Sequence, residues 1–215
     1  MKFWNVQGWL YDALFVLVPH RQLVQEVGES LSPDKLVLDA GCGSARLSSW
    51  SKADVVGLDF SPSVLRYARK RTDRLVQADL CGGAPFKDGA FDVAVSLNVL
   101  YALPDPDSAL EEVRRVLKPG GQLILATPVD ERLLPLVVEH IRKAKVRDWL
   151  RTAANLPRLV AWIINLAIRG VFEQSTFHFF TEEELRCVVE SHGFTIVSDE
   201  PCYAGLDRLI VAERR

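Results

Sequence analysis

The chain has no paired cysteines, no long apolar run, no internal repeat and almost no net charge, and each absence removes a class of function. Its four cysteines, Cys42, Cys81, Cys187 and Cys202, include no Cys-x-x-Cys pair. Such scatter argues against a zinc site and against a disulfide framework, and it fits a reducing cytoplasm. A formal charge of −2 over 215 residues gives no reason to expect nucleic acid as a partner. The very apolar stretch Leu159 to Ile168 is about half a membrane span, and Arg158 and Arg169 bracket it. Trp9 to Val18 is apolar too, but it contains Asp12 and lacks a small-residue cleavage site, so it does not read as a targeting segment.

What remains is the composition of one globular domain, residues 1–215. Apolar residues make up 48% and charged residues 25% of the chain, enough for a real core. The sequence is organised around Val37-Leu-Asp-Ala-Gly-Cys-Gly-Ser-Ala-Arg-Leu47. Leu36, Val37 and Leu38 form the unbroken apolar run of a buried parallel strand. Gly41 and Gly43 allow positive φ and leave bare backbone for a ligand, and Ser44 is placed to cap a following helix. Such a glycine turn is either a plain strand-to-helix connection or a ligand platform at a strand's carboxyl end. Arg46 stands where a dinucleotide fingerprint needs its third small residue. Asp39 is a poor neighbour for pyrophosphate and a good one for a cation. A nucleoside that carries an ammonium and a sulfonium, and no phosphate, suits both.

Two further strands end in acids. Asp54-Val-Val-Gly-Leu-Asp59 closes on Asp59, placed to bind ribose hydroxyls, and Ser61-Pro62 then starts a helix through Arg71. Leu75-Val-Gln-Ala-Asp-Leu80 is a third strand, where Asp79 can accept from an exocyclic amine and Leu80 can face an adenine. Phe91 to Asn98 is the fourth strand and its exit, Asp107 to Leu117 a helix, and Gln122 to Thr127 the fifth strand after the break Lys118-Pro-Gly-Gly121. The alternation predicts a parallel sheet with crossover helices. Ahead of it, residues 3–18 and a segment from Pro19 to about Gly28 read as helices, and residues 1–30 serve either as packing or as a flap with Tyr11 as its polar tip.

Five segments, Val37-Leu-Asp-Ala-Gly-Cys-Gly, Gly57-Leu-Asp-Phe-Ser, Gln77-Ala-Asp-Leu, Phe91-Asp-Val-Ala-Val-Ser and Arg115-Val-Leu-Lys-Pro-Gly-Gly-Gln-Leu, together resemble the class I S-adenosylmethionine-dependent methyltransferases of the type 11 kind. The resemblance is dense over residues 35–128 and looser over 178–213. It implies a Rossmann-like α/β fold: a seven-stranded, mostly parallel sheet with a terminal antiparallel hairpin, here Phe194–Ser198 and Arg208–Ala212 after a helix over 181–190. It implies S-adenosyl-L-methionine as cofactor. Asp39, Gly41 and Gly43 would face its methionine portion, Asp59 the ribose, and Asp79 and Leu80 the adenine, with Phe60 also at the cofactor. Asn98 would offer its backbone carbonyl to the ammonium. The opening Trp9-Leu-Tyr-Asp12 and Pro19-His-Arg21 also resemble the start of quinone-biosynthesis and bacterial phospholipid methyltransferases, which implies an apolar acceptor.

Residues 129–177 depart from the family pattern as a helical insert after the fifth strand. From Arg132 to Phe172 eight basic residues face two acids, a surplus of six in a chain whose total is −2. Basic helices beside an apolar run read as a peripheral membrane contact, or as a helical lid whose apolar face packs on the core. The expected activity is in-line methyl transfer to a small-molecule or lipid-like acceptor, with no metal required. The expected place is the cytoplasm, with peripheral attachment at the membrane surface if the insert binds lipid. Tyr101, just past the fourth strand, ranks first among acceptor-side candidates, followed by His178, with Tyr11, His20 and His140 behind. Two readings stand against this one: an NAD(P)-dependent oxidoreductase, and a membrane-surface binding protein that keeps the fold without turnover.

Overall fold

The structure is a computed structural model, described here for residues 15–129, 134–172 and 177–215. Seven strands form one sheet: β1 (Leu36–Ala40), β2 (Asp54–Asp59), β3 (Leu75–Gln77), β4 (Phe91–Leu97), β5 (Leu117–Pro128), β6 (Phe194–Cys202) and β7 (Asp207–Arg214). Their order is β3-β2-β1-β4-β5-β7-β6. The first five run parallel, and β7 inserts antiparallel between β5 and β6. The order reverses between β1 and β4, and in open α/β sheets that reversal opens a crevice at the carboxyl ends of the strands.

The helices are α1 (Val18–Ser30), α2 (Pro62–Ala68), α3 (Pro106–Val116), α4 (Leu134–Lys143), α5 (Val146–Phe172) and α6 (Glu182–Ser191). Several starts follow from local chemistry. Proline occupies the first turn of α1, α2 and α3, where a missing N–H costs nothing. Asp105 accepts from the Ser108 N–H at 3.0 Å, and Thr181 and Glu184 form a reciprocal capping box on α6. One sheet face buries Leu38, Leu58, Phe91, Leu123, Leu125 and Ile210 with Leu110 and Val113 of α3 and Leu185 and Val189 of α6. The other buries Val37, Val55, Val93, Val95 and Ile124 with Leu23, Val24 and Val27 of α1.

The expected elements are present, with shifted edges. β3 stops at Gln77, and Asp79 instead caps a 3₁₀ turn, Leu80–Gly82, by accepting from the Cys81 N–H at 3.0 Å. The α2 helix ends at Ala68 instead of Arg71. The Lys118–Gly121 break lies inside β5 as an irregularity in its pairing with β4, because Gly120 takes φ +71°. Residues 3–14 of the expected first helix lie outside the described residues.

One expectation is corrected outright. Neither a helix start nor a Ser44 cap follows the glycine turn. The Gly41 and Cys42 N–H groups both donate to the Leu58 carbonyl at 2.8 Å, which ties the turn to β2. Ala45 is left-handed at φ 56°, and only a 3₁₀ turn, Leu47–Ser49, precedes β2. Residues 41–53, which link β1 to β2, hold no α-helix. The α1 helix takes over that cover: Leu23, Val24 and Val27 pack on Leu47, Val37 and Val55, and Gly28 lies so close to Trp50 that a Cβ there would sit 2.9 Å from the Trp50 Cβ.

Candidate functional site

The cleft lies where the strand order predicts it. A cavity of about 840 Å³, its open mouth included, is lined by Gly41, Gly43, Asp59, Phe60, Asp79, Leu80 and Asn98, among others. It continues past the glycine turn into a smaller recess of about 400 Å³ that holds Asp39, Arg46, Phe15 and His20. Gly41 and Gly43 border both spaces, with φ of +80° and +53°. A Cβ on Gly41 would meet a Val99 methyl at 2.5 Å, so the turn packs as bare backbone.

Asp59 is tied in by backbone. Its Oδ2 accepts from the Gly43 N–H at 3.0 Å and its Oδ1 from the Ser61 N–H at 2.9 Å. Burial raises its pKa, and those two donors pull it part of the way back. Asp39 is more deeply placed, 5% exposed, and burial followed by the nearby Asp59 charge pushes it to about 7. These two acids on adjacent strands, one buried and one half-buried, repel one another, and a cation between them would relieve both.

The comparisons with known proteins converge on one family. A family model described as a methyltransferase domain matches residues 38–125. The demethylmenaquinone methyltransferase of Staphylococcus saprophyticus is 28% identical over 91% of this chain and 87% of its own length. The ubiquinone biosynthesis O-methyltransferase of Xanthomonas oryzae is 32% identical over 54% of this chain and 61% of its own. The share of a relative that this chain spans falls as low as 31%, for a 37.1 kDa transposon protein of Streptomyces fradiae. A solved S-adenosylmethionine-dependent methyltransferase of Thermotoga maritima has the same fold, with a TM-score of 0.65 at 21% identity over 95% of this chain and 94% of that one.

The chain belongs to the class I S-adenosylmethionine-dependent methyltransferases. Its cofactor is S-adenosylmethionine, and the donor set of the cleft fits that molecule. The neighbouring carboxylates of Asp39 and Asp59 suit a ligand with cationic groups. The apolar lining from Leu80, Val64, Leu103 and Pro104 suits a purine. Arg46 lies 4.6 Å over the Phe15 ring in the smaller recess.

On the acceptor side the methyltransferase brings together some candidates and disperses others. Tyr101 follows β4 and is half-buried. Its ring stacks on Phe177 (5.4 Å, 19°) and leans on Phe179 (5.9 Å), and its carbonyl accepts from the His178 N–H at 2.7 Å. Burial, then the Asp207 charge, raises its phenol. The His178 side chain is exposed. His20 is buried in the recess, edge-on to Phe15 at 4.6 Å and to Tyr203 at 5.4 Å. His140 is committed to helix packing: Nδ1 accepts from the Val18 N–H at 3.2 Å, and Nε2 lies 3.1 Å from the Thr152 hydroxyl. Tyr11 lies outside the described residues.

The sequence reading passed over Asp207. It starts the last strand one residue later, at Arg208, and an isolated acid ahead of a strand carries no signal of its own. Only the antiparallel insertion of β7 brings its first residue to the edge where β4 and β5 end.

Proposed function

We propose that this methyltransferase transfers a methyl group by in-line displacement to a small, apolar acceptor drawn from the membrane surface. The observation that carries the methyl-transfer half is the cleft itself: a glycine turn, the acids Asp39 and Asp59 and a third acid at Asp79, all on one sheet edge. In this reading Asp39, Gly41 and Gly43 hold the methionine portion, Asp59 and Phe60 the ribose, and Asp79 and Leu80 the adenine. Asn98, left-handed at φ 56° just past β4, lines the same cavity, and its carbonyl would receive the ammonium. S-adenosylmethionine supplies an activated methyl on a sulfonium. The chain therefore has to align, exclude water and hold a proton where the acceptor needs it, and alignment alone can contribute roughly 7–11 kcal/mol in the best intramolecular cases.

The insert supports the apolar half. Val137, Val138 and Ile141 on α4, and Val146, Trp149, Leu150, Leu156, Val160 and Ile164 on α5, are all exposed. Arg142, Lys143, Lys145, Arg147 and Arg151 stand among them. Among the described residues no helix is long and apolar enough to cross a membrane. An apolar, basic helix pair of this kind suits the interface of an anionic bilayer. The relatives named for demethylmenaquinone and ubiquinone work point to acceptors of the same apolar class.

Calorimetric titration with S-adenosylmethionine and with NAD separates this reading from the oxidoreductase. Binding of the first and none of the second is expected, and the converse would sink the proposal. Incubation with methyl-labelled cofactor and a lipid extract should then label a lipid-soluble product. Label confined to water-soluble metabolites would remove the membrane half.

A further inference from the structure

Asp207 is the acid the cleft's description leaves over. It is 1% exposed, at the first position of β7, paired across to Pro128 at the end of β5 and to Cys202 at the end of β6. Because β7 runs against β5, that first residue lies at the ligand edge of the sheet. Leu209 and Val211 pack with α1 and with Leu97 against one face, and the two-residue period puts Asp207 on that same face, the one that carries His20 and Asp39. Neither carboxylate oxygen meets a donor at full hydrogen-bond geometry among the described residues, although the Asn98 side chain lies near enough to lower the carboxyl's pKa, and the Asn98 Oδ1 has no partner there either. Buried polar atoms are ordinarily satisfied, and these three, side by side, leave room for a partner beyond the described residues.

The surroundings say what kind of partner. Asn98 from the β4 exit, Tyr101 from the turn after it and Cys202 from β6 face the carboxyl. Beyond them lie His20, against Tyr203, and Glu26, near Cys202. No cation is in this set: the adjacent Arg208 is engaged with Asp199 at 2.7 Å and Glu182 at 3.6 Å. A carboxyl that no cation among the described residues neutralises, opposite a phenol and an amide, is suited to a neutral proton donor such as a hydroxyl. Building on the methyl-transfer reading above, we propose that Asp207 is a catalytic residue that binds a hydroxyl of the acceptor and takes its proton.

The proton passes from the acceptor O–H to an Asp207 carboxylate oxygen. The electron pair of that O–H bond forms the new bond to the methyl carbon. The pair of the breaking S–CH₃ bond stays on sulfur, which loses its positive charge. Burial pushes Asp207 to about 8, so the base is held in reserve until the solution is mildly alkaline, with Asn98 pulling it partly back. The rate should therefore rise with pH and level off above about 8.

The test compares wild type, Asp207→Asn and Asp207→Glu. An alkyl-substituted catechol serves as acceptor probe, and its binding is measured without cofactor by calorimetry. The Asn variant should bind S-adenosylhomocysteine within twofold of wild type, bind the catechol at least tenfold more weakly, and transfer methyl about 100-fold more slowly with no rising pH limb. The Glu variant should recover that limb at a reduced rate, which keeps the test open if the Asn variant fails to fold. An Asn variant that binds and methylates the catechol like wild type overturns the assignment, as does a wild type that methylates only amines. Failure of wild type to bind S-adenosylhomocysteine would overturn the methyltransferase reading itself, and this assignment with it.

Discussion

Asp59, half-buried, and Asp207, buried, are acids at the same edge of one sheet, and they are furnished in opposite ways. Asp59 has two backbone donors within 3.0 Å, one on each oxygen. Asp207 has none. The first belongs to the half of the cleft built from β1 and β2, where the chain supplies its own donors and the site is formed before any ligand arrives. The second belongs to the half around the ends of β4, β5 and β7, where polar groups stand unmatched. A site that receives one invariant molecule can be finished in advance. A site that must admit and release an acceptor keeps its unmatched atoms for the acceptor to satisfy.

The comparison breaks most completely at Gly41. Valine there must adopt φ +80° and drive its Cβ to 2.5 Å from Val99. Strain of about 1–3 kcal/mol and overpacking of about 1–3 kcal/mol add together. Gly41→Val should lose cofactor binding altogether and unfold at lower denaturant, and calorimetry with a urea titration will show both. A variant that folds and binds normally would mean the turn is not the platform.

Next comes Asp59→Ala. It removes the acceptor for the Gly43 and Ser61 N–H groups as well as any bond to the ligand. Each buried donor left unpaired costs about 1–3 kcal/mol, so stability should fall along with an affinity loss of tenfold or more. Unchanged affinity for S-adenosylhomocysteine would place the ribose elsewhere.

Asp39 sharpens the comparison through pH. Its folded pKa of about 7 lies above the ordinary 3.9, so burying its charge costs stability that begins to be lost near pH 4 and is fully lost above pH 7. The shift caps that cost at about 4 kcal/mol. Asp39→Asn should therefore stabilise the ligand-free protein at pH 8 and leave it little changed at pH 4. A cationic ligand needs the ionised form, so wild-type affinity should fall by up to tenfold per unit below pH 7 while the Asn variant stays flat. Parallel profiles for the two proteins would refute the pairing.

The smallest change at the cleft is expected from the insert. Replacing Arg142, Lys143, Lys145 and Arg147 with Gln should leave cofactor affinity intact. Flotation with anionic liposomes should weaken by about 1 kcal/mol per charge removed, and wild-type flotation should fall with salt. A wild-type protein that ignores liposomes of every composition would leave α4 and α5 as a lid over a soluble acceptor.

The sheet and most of the residues that line its cleft were legible in the sequence for a physical reason. Buried parallel strands are short apolar runs, and their ends are marked by Asp39, Asp59 and Asn98 within a few residues of a glycine or a helix cap. The crossover after β1 misled, because a serine behind two glycines looks like a helix cap, and nothing local reveals that Leu58 captures both preceding N–H groups. The acceptor half was harder to read. Asp207 reaches the edge where β4 and β5 end only through the antiparallel return of β7, and His140 was offered for chemistry when its two ring nitrogens are occupied by Val18 and Thr152. Long-range pairing, more than local pattern, decides both.

The thirteen residues of α1 have one more consequence. The helix roofs β1 and β2 and puts His20 in the recess beside Asp39, yet it is also fastened to the insert. Arg21 holds Asp148 at 2.8 Å, and the Val18 N–H holds His140. One helix thus touches both the recess where the cofactor would sit and the helices that would meet lipid. Linkage makes such a connection symmetrical: whatever factor an anionic surface adds to the cofactor's affinity, the cofactor must add to the protein's affinity for that surface.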